Sequence, residues 1–353
     1  MQPSPLARYL LAAYALLVLY ASLHPFTGWR DNGVAAFAFL LAPSPRYITA
    51  FDLTANVAAY VPFGFLAVLA FFPALRGLVA VLVAALAAAA LSVSLEALQN
   101  YLPSRIASNL DVASNACGAL LGALIGAALS GTLLREAGLH ALRYRLFRPG
   151  GHVDLGLVLV GLWLVSQLNP ETLLFGTGDL RGLLQSPTAA LHPPEVFIRV
   201  EAGVAGANAI AVGLLAGSLV ERNQPARLYL LLLLSAAFLV RTVAFGTLIN
   251  PQDMFAWITP GAAFGVAAGT LIAVIACALP LPGRLALSAL ALMAATALVN
   301  FAPGNPYLTA SLAVWRQGHF LNFNGLTRIV SAIWPFCVLP YLMLTAGERD
   351  RHR

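Results

Sequence analysis

The chain has 353 residues, 60% of them apolar and only 10% charged, and its formal net charge is +6. Soluble domains carry about 25% charged residues. With a mean hydropathy of +0.82, this composition excludes a soluble enzyme, a disordered regulator and a secreted disulfide scaffold.

The positive charge is not a nucleic-acid footprint. Every basic residue is an arginine, set mostly in short loops between apolar runs. There arginine acts as a topology signal, and no basic stretch is interleaved with stacking aromatics. The expected partner is a lipid bilayer, with no nucleic acid.

A membrane-crossing helix needs roughly 20 apolar residues. Such stretches fall at 7–23, 51–72, 76–98, 110–134, 153–168, 196–220, 226–249, 256–279, 285–300 and 326–346. They predict an all-α, polytopic transmembrane helical bundle of about ten spans. The first run has no small-residue cleavage site behind it and reads as a span, not a signal peptide. The run 34–42 is too short to cross and reads as interfacial or re-entrant. Cys117, Cys277 and Cys337 all fall inside apolar stretches, an odd set that argues for packing over disulfides.

Arginine sets the orientation. With the N-terminus inside, the inner loops and tails collect Arg8, Arg76, Arg135, Arg143, Arg145, Arg148, Arg222, Arg227, Arg284, Arg349, Arg351 and Arg353. The outer loops collect Arg30, Arg46, Arg105, Arg181, Arg316 and Arg328. This positive-inside bias predicts two cytoplasmic termini, as an even span count requires. Several outward spans stop at polar-proline steps, namely His24-Pro25, Asn169-Pro170, Asn250-Pro251 and Asn300 ahead of Pro303. These read as helix stops.

Carboxylates are rare in spans, since each costs about 2.5–3.5 kcal/mol near the helix centre. The first half carries three near outer span ends: Asp52 with Asn56, Glu96 with Gln99, and Asp111 with Asn115. Spacings of three and four put each acid and its amide on one helix face. Arg105, in the short loop between the third and fourth spans, is the expected counter-charge. These seven residues are the candidate ligand-binding set. An oxygen-rich cluster of this kind could hold a hard cation, bind sugar hydroxyls or pass a proton; its structural alternative is helix glue. Below it, Pro62-Phe63-Gly64 reads as a tolerated kink or a hinge. Gly118, Gly122 and Gly126, and again Gly261, Gly265 and Gly269, form ladders suited to close helix packing, with homo-oligomerisation the alternative use. No metal-ligand, cofactor or nucleotide-loop motif occurs.

At these positions the chain resembles the VanZ-like family of membrane proteins. The likeness runs from Phe51-Asp-Leu-Thr-Ala-Asn56 through Val61-Pro-Phe-Gly64, Glu96-Ala-Leu-Gln99, Pro103-Ser-Arg105 and Asn109-Leu-Asp111 to Asn115 and Gly118. It covers about residues 10 to 130. The resemblance implies a bacterial cell-envelope protein with a link to glycopeptide (teicoplanin) resistance, and carries Asp52, Asn56, Glu96, Gln99, Arg105, Asp111 and Asn115 over as the shared polar set.

The chain is longer than the short family form, which predicts a VanZ-like domain at 1–150 and a second transmembrane domain at 151–353. The second has polar outer segments at 167–181 and 318–328, where His319, Asn322 and Asn324 could line the same outer cavity, and an intramembrane Arg241 that Glu201 could pair. The function expected is binding of a lipid-linked or surface envelope glycan at the outer face of the cytoplasmic (inner) membrane, without turnover. The alternatives are a transporter or flippase of an envelope precursor, and an intramembrane transferase using Glu96 or Asp111 as base. The latter lacks a recognisable nucleophile, histidine pair or metal motif.

Overall fold

The computed structural model describes residues 4–43, 49–134, 138–181, 193–303 and 321–350. Arg46, Arg135, Arg316, His319, Arg351 and Arg353 lie outside the described residues, as do the side chains of Asn322, Asn324 and Arg349.

Among the described residues eleven α-helices follow in order: α1 (Pro5–Leu23), α2 (Ala50–Phe71), α3 (Gly77–Gln99), α4 (Asn109–Leu133), α5 (Leu139–Leu146), α6 (Gly151–Ser166), α7 (Pro194–Leu219), α8 (Ala226–Leu248), α9 (Pro260–Ala276), α10 (Leu281–Phe301) and α11 (Leu321–Asp350). All but the short, arginine-bearing α5 fall on the ten expected apolar stretches. Eight are long and apolar enough to cross a membrane, whereas α6 and α9 are shorter apolar helices. Large apolar side chains such as Leu16, Leu86, Phe264 and Met343 stand exposed along these helices. That surface is stable only against lipid. The chain is a multi-pass membrane protein.

Helix starts are set locally. Ser4, Thr49, Ser108 and Thr259 cap α1, α2, α4 and α9 by accepting a backbone N–H of the first turn, each stabilising its helix by about 1 kcal/mol. The run 34–42 does not cross. It holds a single 3₁₀ turn, Ala38–Leu41, whose Leu41 is 95% exposed.

The chain divides into two compact units, Met1–Arg145 and Leu146–Arg353. In the first, α2 and α4 make the most extensive helix pair and α3 packs on α4. The glycine ladder explains the closeness. A Cβ on Gly118 or Gly122 would collide with the carbonyl oxygen of Val57 or Val61, and one on Gly64 with that of Ala119. The ladder is therefore spent inside the unit. α2 runs unbroken through Pro62, and the Tyr14 hydroxyl donates to the nearby Ala59 carbonyl at 2.7 Å.

In the second unit α7 is the central helix, packed against α9 and α10. Its small residues admit α9: a Cβ on Gly265 would strike the backbone of Ala202, and one on Gly269 that of Gly206. Beyond α6 the chain leaves helical geometry and stays inside the unit. Asn169, Leu174, Phe175 and Thr177 are all buried. This is why α6 is short. Its continuation is an irregular segment held by hydrogen bonds: the Asn300 side chain donates to Gly178 O at 2.7 Å and accepts from Leu180 N at 2.9 Å, and the backbone Ser331 O accepts from Gly178 N at 2.9 Å.

Candidate functional site

α2 and α4 begin, and α3 ends, at the same end of the first unit, so Asp52, Glu96 and Asp111 meet there. Asp52 and Asp111 sit in the first turns of their helices, and Glu96, near the C-terminal end of α3, reaches the N-terminus of α4. Asp52 lies in the first turn of α2, where its carboxylate accepts from the Thr49 hydroxyl at 2.6 Å and completes a capping box. Asp111 lies in the first turn of α4. Glu96, on α3, reaches across to accept the backbone N–H of Ser108, the N-cap of α4, at 2.9 Å. The positive end of a helix dipole favours a carboxylate by about 0.3–1 kcal/mol, which offsets part of the cost of acids in a membrane segment.

Each amide bonds to another helix and not to the acid on its own. Asn56 of α2 donates to Asp111 Oδ1 of α4 at 3.0 Å. Asn115 of α4 donates to Ser92 Oγ of α3 at 2.9 Å. Gln99 of α3 donates to the Ser22 carbonyl of α1 at 3.0 Å. Four helices are thus tied at one end by side chains.

Arg105 also takes a different place. Its Nη2 donates to Ala21 O at 3.1 Å and His24 O at 3.0 Å, so the guanidinium caps the C-terminus of α1. No carboxylate lies within ion-pair distance of it among the described residues. Burial pushes the Arg105 pKa down, and the charge of Glu96 pushes it back up. His24, which caps α1, has its pKa lowered by burial first and by the Arg105 charge second. Its Nδ1 shares a 2.9 Å hydrogen bond with the Tyr20 hydroxyl.

The site has a rim and a floor. Asp52 is exposed, Asn56 and Asp111 are half-buried, and Glu96, Gln99 and Asn115 are buried. Asp52 and Asp111 are near enough for their charges to interact, and neither has a cationic partner among the described residues. The floor adds residues that the sequence did not single out. Tyr60 and Ser92 are buried beside Glu96 and Asn115, with the Tyr60 hydroxyl turned to Ser92, and Asn115 Oδ1 has no hydrogen-bond partner among the described residues. A lone tyrosine or serine in an apolar helix carries no periodic signal; only the packing of α2, α3 and α4 shows their place.

Around the rim the 24–43 segment is stitched to the α3–α4 connection. Asn32 donates to Asn100 O at 2.7 Å, Asn100 to Val34 O at 3.2 Å, and Asn109 to Ala42 O at 2.8 Å. Among the described residues no three His, Cys, Asp or Glu side chains are grouped to hold a metal ion.

Residues 7–130 match the VanZ/LLP1 family. The first unit is VanZ-like. The match spans all four long helices of that unit and every residue of the polar site, whereas the second unit lies outside it. No curated protein and no solved structure matches the chain.

Proposed function

We propose that the VanZ-like unit binds a lipid-linked or surface envelope glycan at the outer face of the cytoplasmic membrane, without turning it over. The observation that carries this reading is the Asp52–Asp111 pair. Two interacting carboxylates flank the α2–α4 seam, Asn56 fixes one of them, and no described cation neutralises either. Such a rim offers free acceptor oxygens to a ligand rich in hydroxyl donors. Sugars supply that chemistry, and so does the glycopeptide teicoplanin, which links the site to glycopeptide resistance. The arginine asymmetry supports an outward-facing site.

The test is the thermal stability of the purified full chain against undecaprenyl-linked sugars, teicoplanin and divalent cations. A ligand that binds only the native state raises the melting temperature by mass action. One sugar-bearing ligand should stabilise the wild type and fail with Asp111→Asn, while that variant melts near the wild type in its absence. Stabilisation by divalent cations alone, or equal stabilisation of the variant, contradicts glycan binding at this rim.

A further inference from the structure

The second unit contains a buried arginine with no contact counter-ion among the described residues. Arg241, on α8, is 2% exposed, and its guanidinium lies 5.1 Å from the Phe245 ring centre. It donates to the carbonyls of Asn169 and Thr172 and, at 3.3 Å, to the Thr172 hydroxyl. Glu201 on α7 acts on it through space but forms no ion pair with it, and it lies instead against Gly261. Carbonyl dipoles alone are a poor match for a full buried charge.

Two residues that bond it, and a third one turn further back along α6, carry polar groups without partners among the described residues. Gln167 and Asn169 supply carbonyls around Arg241 and are both buried, yet Gln167 Oε1 and Asn169 Nδ2 make no hydrogen bond among the described residues. Trp163 is fully buried one turn before Gln167, and its indole N–H has no partner among the described residues either. Arg241 Nε is a fourth such atom. Three of the four are donors.

These groups lie on or next to irregular backbone enclosed within a helical unit. In a membrane protein such backbone persists only where protein buries it or where it lines a polar cavity. An aromatic column, Trp163–Phe175–Phe238–Trp257, with successive ring centres 5.2 to 5.4 Å apart, borders the region. Trp257 ties the column to α8 through Thr242, the neighbour of Arg241, at 3.2 Å.

We propose that Arg241, Asn169 and Trp163 form an oxyanion site in the second unit that takes a phosphate group, carried either by a lipid headgroup or by a free anion. The excess of donors selects an acceptor-rich ligand, and the unpaired guanidinium selects a negative one. This site is independent of the VanZ-like unit and of the function proposed for it.

The test uses the full chain and two conservative variants. Trp163→Phe removes only the unpartnered N–H and keeps the ring. Asn169→Ser removes the amide and keeps a short acceptor for the Glu171 N–H, which Asn169 Oδ1 holds at 2.8 Å. One arm titrates inorganic phosphate against chloride at equal ionic strength in detergent. The other compares nanodiscs of phosphatidic acid with nanodiscs of phosphatidylcholine.

Wild type should gain thermal stability in at least one arm, the free-phosphate arm identifying a soluble anion and the nanodisc arm alone identifying a headgroup. Trp163→Phe should bind about tenfold more weakly, as loss of a charge-assisted hydrogen bond implies, while melting near the wild type without ligand. Asn169→Ser should lose binding likewise. If phosphate stabilises wild type in neither arm, or both variants retain the full shift, the site does not exist and Arg241 serves only to clamp the end of α6.

Discussion

Gly122→Ala should damage the first unit far more than an alanine in a helix normally can. Alanine is the better helix former by about 1 kcal/mol, so propensity alone predicts a gain. The Cβ, however, would meet the carbonyl oxygen and carbon of Val61 and the backbone nitrogen of Phe65. These are backbone atoms that no rotamer change can move. The same seam is closed from the other side by Gly64 against Ala119, so α2 and α4 must separate. Overpacking a close-packed core costs about 1–3 kcal/mol, and this seam sits at the upper end. At about 2–4 °C per kcal/mol, the melting temperature should fall by about 6–12 °C. Gly131→Ala, on the same helix, is the control, because nothing lies within 4 Å of its Cβ, and it should be neutral or mildly stabilising. Thermal melts of both variants in one detergent decide the matter. Equal behaviour of the two would refute the claim that the ladder serves α2–α4 contact.

Other expectations follow from the site. Asn56→Ala and Asp111→Ala should each destabilise by about 1 kcal/mol, with a coupling of at least about 0.5 kcal/mol in a double-mutant cycle; additivity would deny their bond. Glu96→Ala should cost about 1–3 kcal/mol, because it strands the buried Ser108 N–H, whereas Glu96→Gln keeps an acceptor and should cost less; the reverse order in denaturant melts would place the importance of Glu96 in its charge. The pKa of His24 is depressed below its ordinary 6.5, so the unfolded chain takes up the proton first as pH falls. Stability present above about pH 6.5 should therefore decline as the pH falls below it, and His24→Gln should flatten that slope in pH-dependent melts.

The spans were legible because hydropathy alone decides which segments enter lipid, and the helices coincide with the expected stretches. The convergence of Asp52, Glu96 and Asp111 at one end was legible too, since short connections fix an up–down order. Their partners were not. A spacing of four suggests that Asn56 serves Asp52, yet a helix N-terminus already satisfies Asp52 through Thr49, which leaves Asn56 to bridge to Asp111. Arg105 looked like a counter-charge from proximity in sequence, but the free carbonyls ending α1 compete for it and win. Ser108 contributes through its backbone, which no side-chain pattern can reveal. In the second unit the polar-proline step at Asn169 reads as a simple stop, whereas the chain beyond it folds back among buried residues that only tertiary packing assembles.

The central claim is that the Asp52–Asp111 rim opens outward and receives a glycan. Asp52→Cys, placed in a chain whose Cys117, Cys277 and Cys337 are replaced by serine, allows a direct measurement. Right-side-out vesicles are treated with a membrane-impermeant maleimide, with and without an undecaprenyl-linked sugar. The account predicts rapid labelling from outside that the sugar slows. Labelling only after the vesicles are opened, or an outside rate that the sugar leaves unchanged, would contradict it.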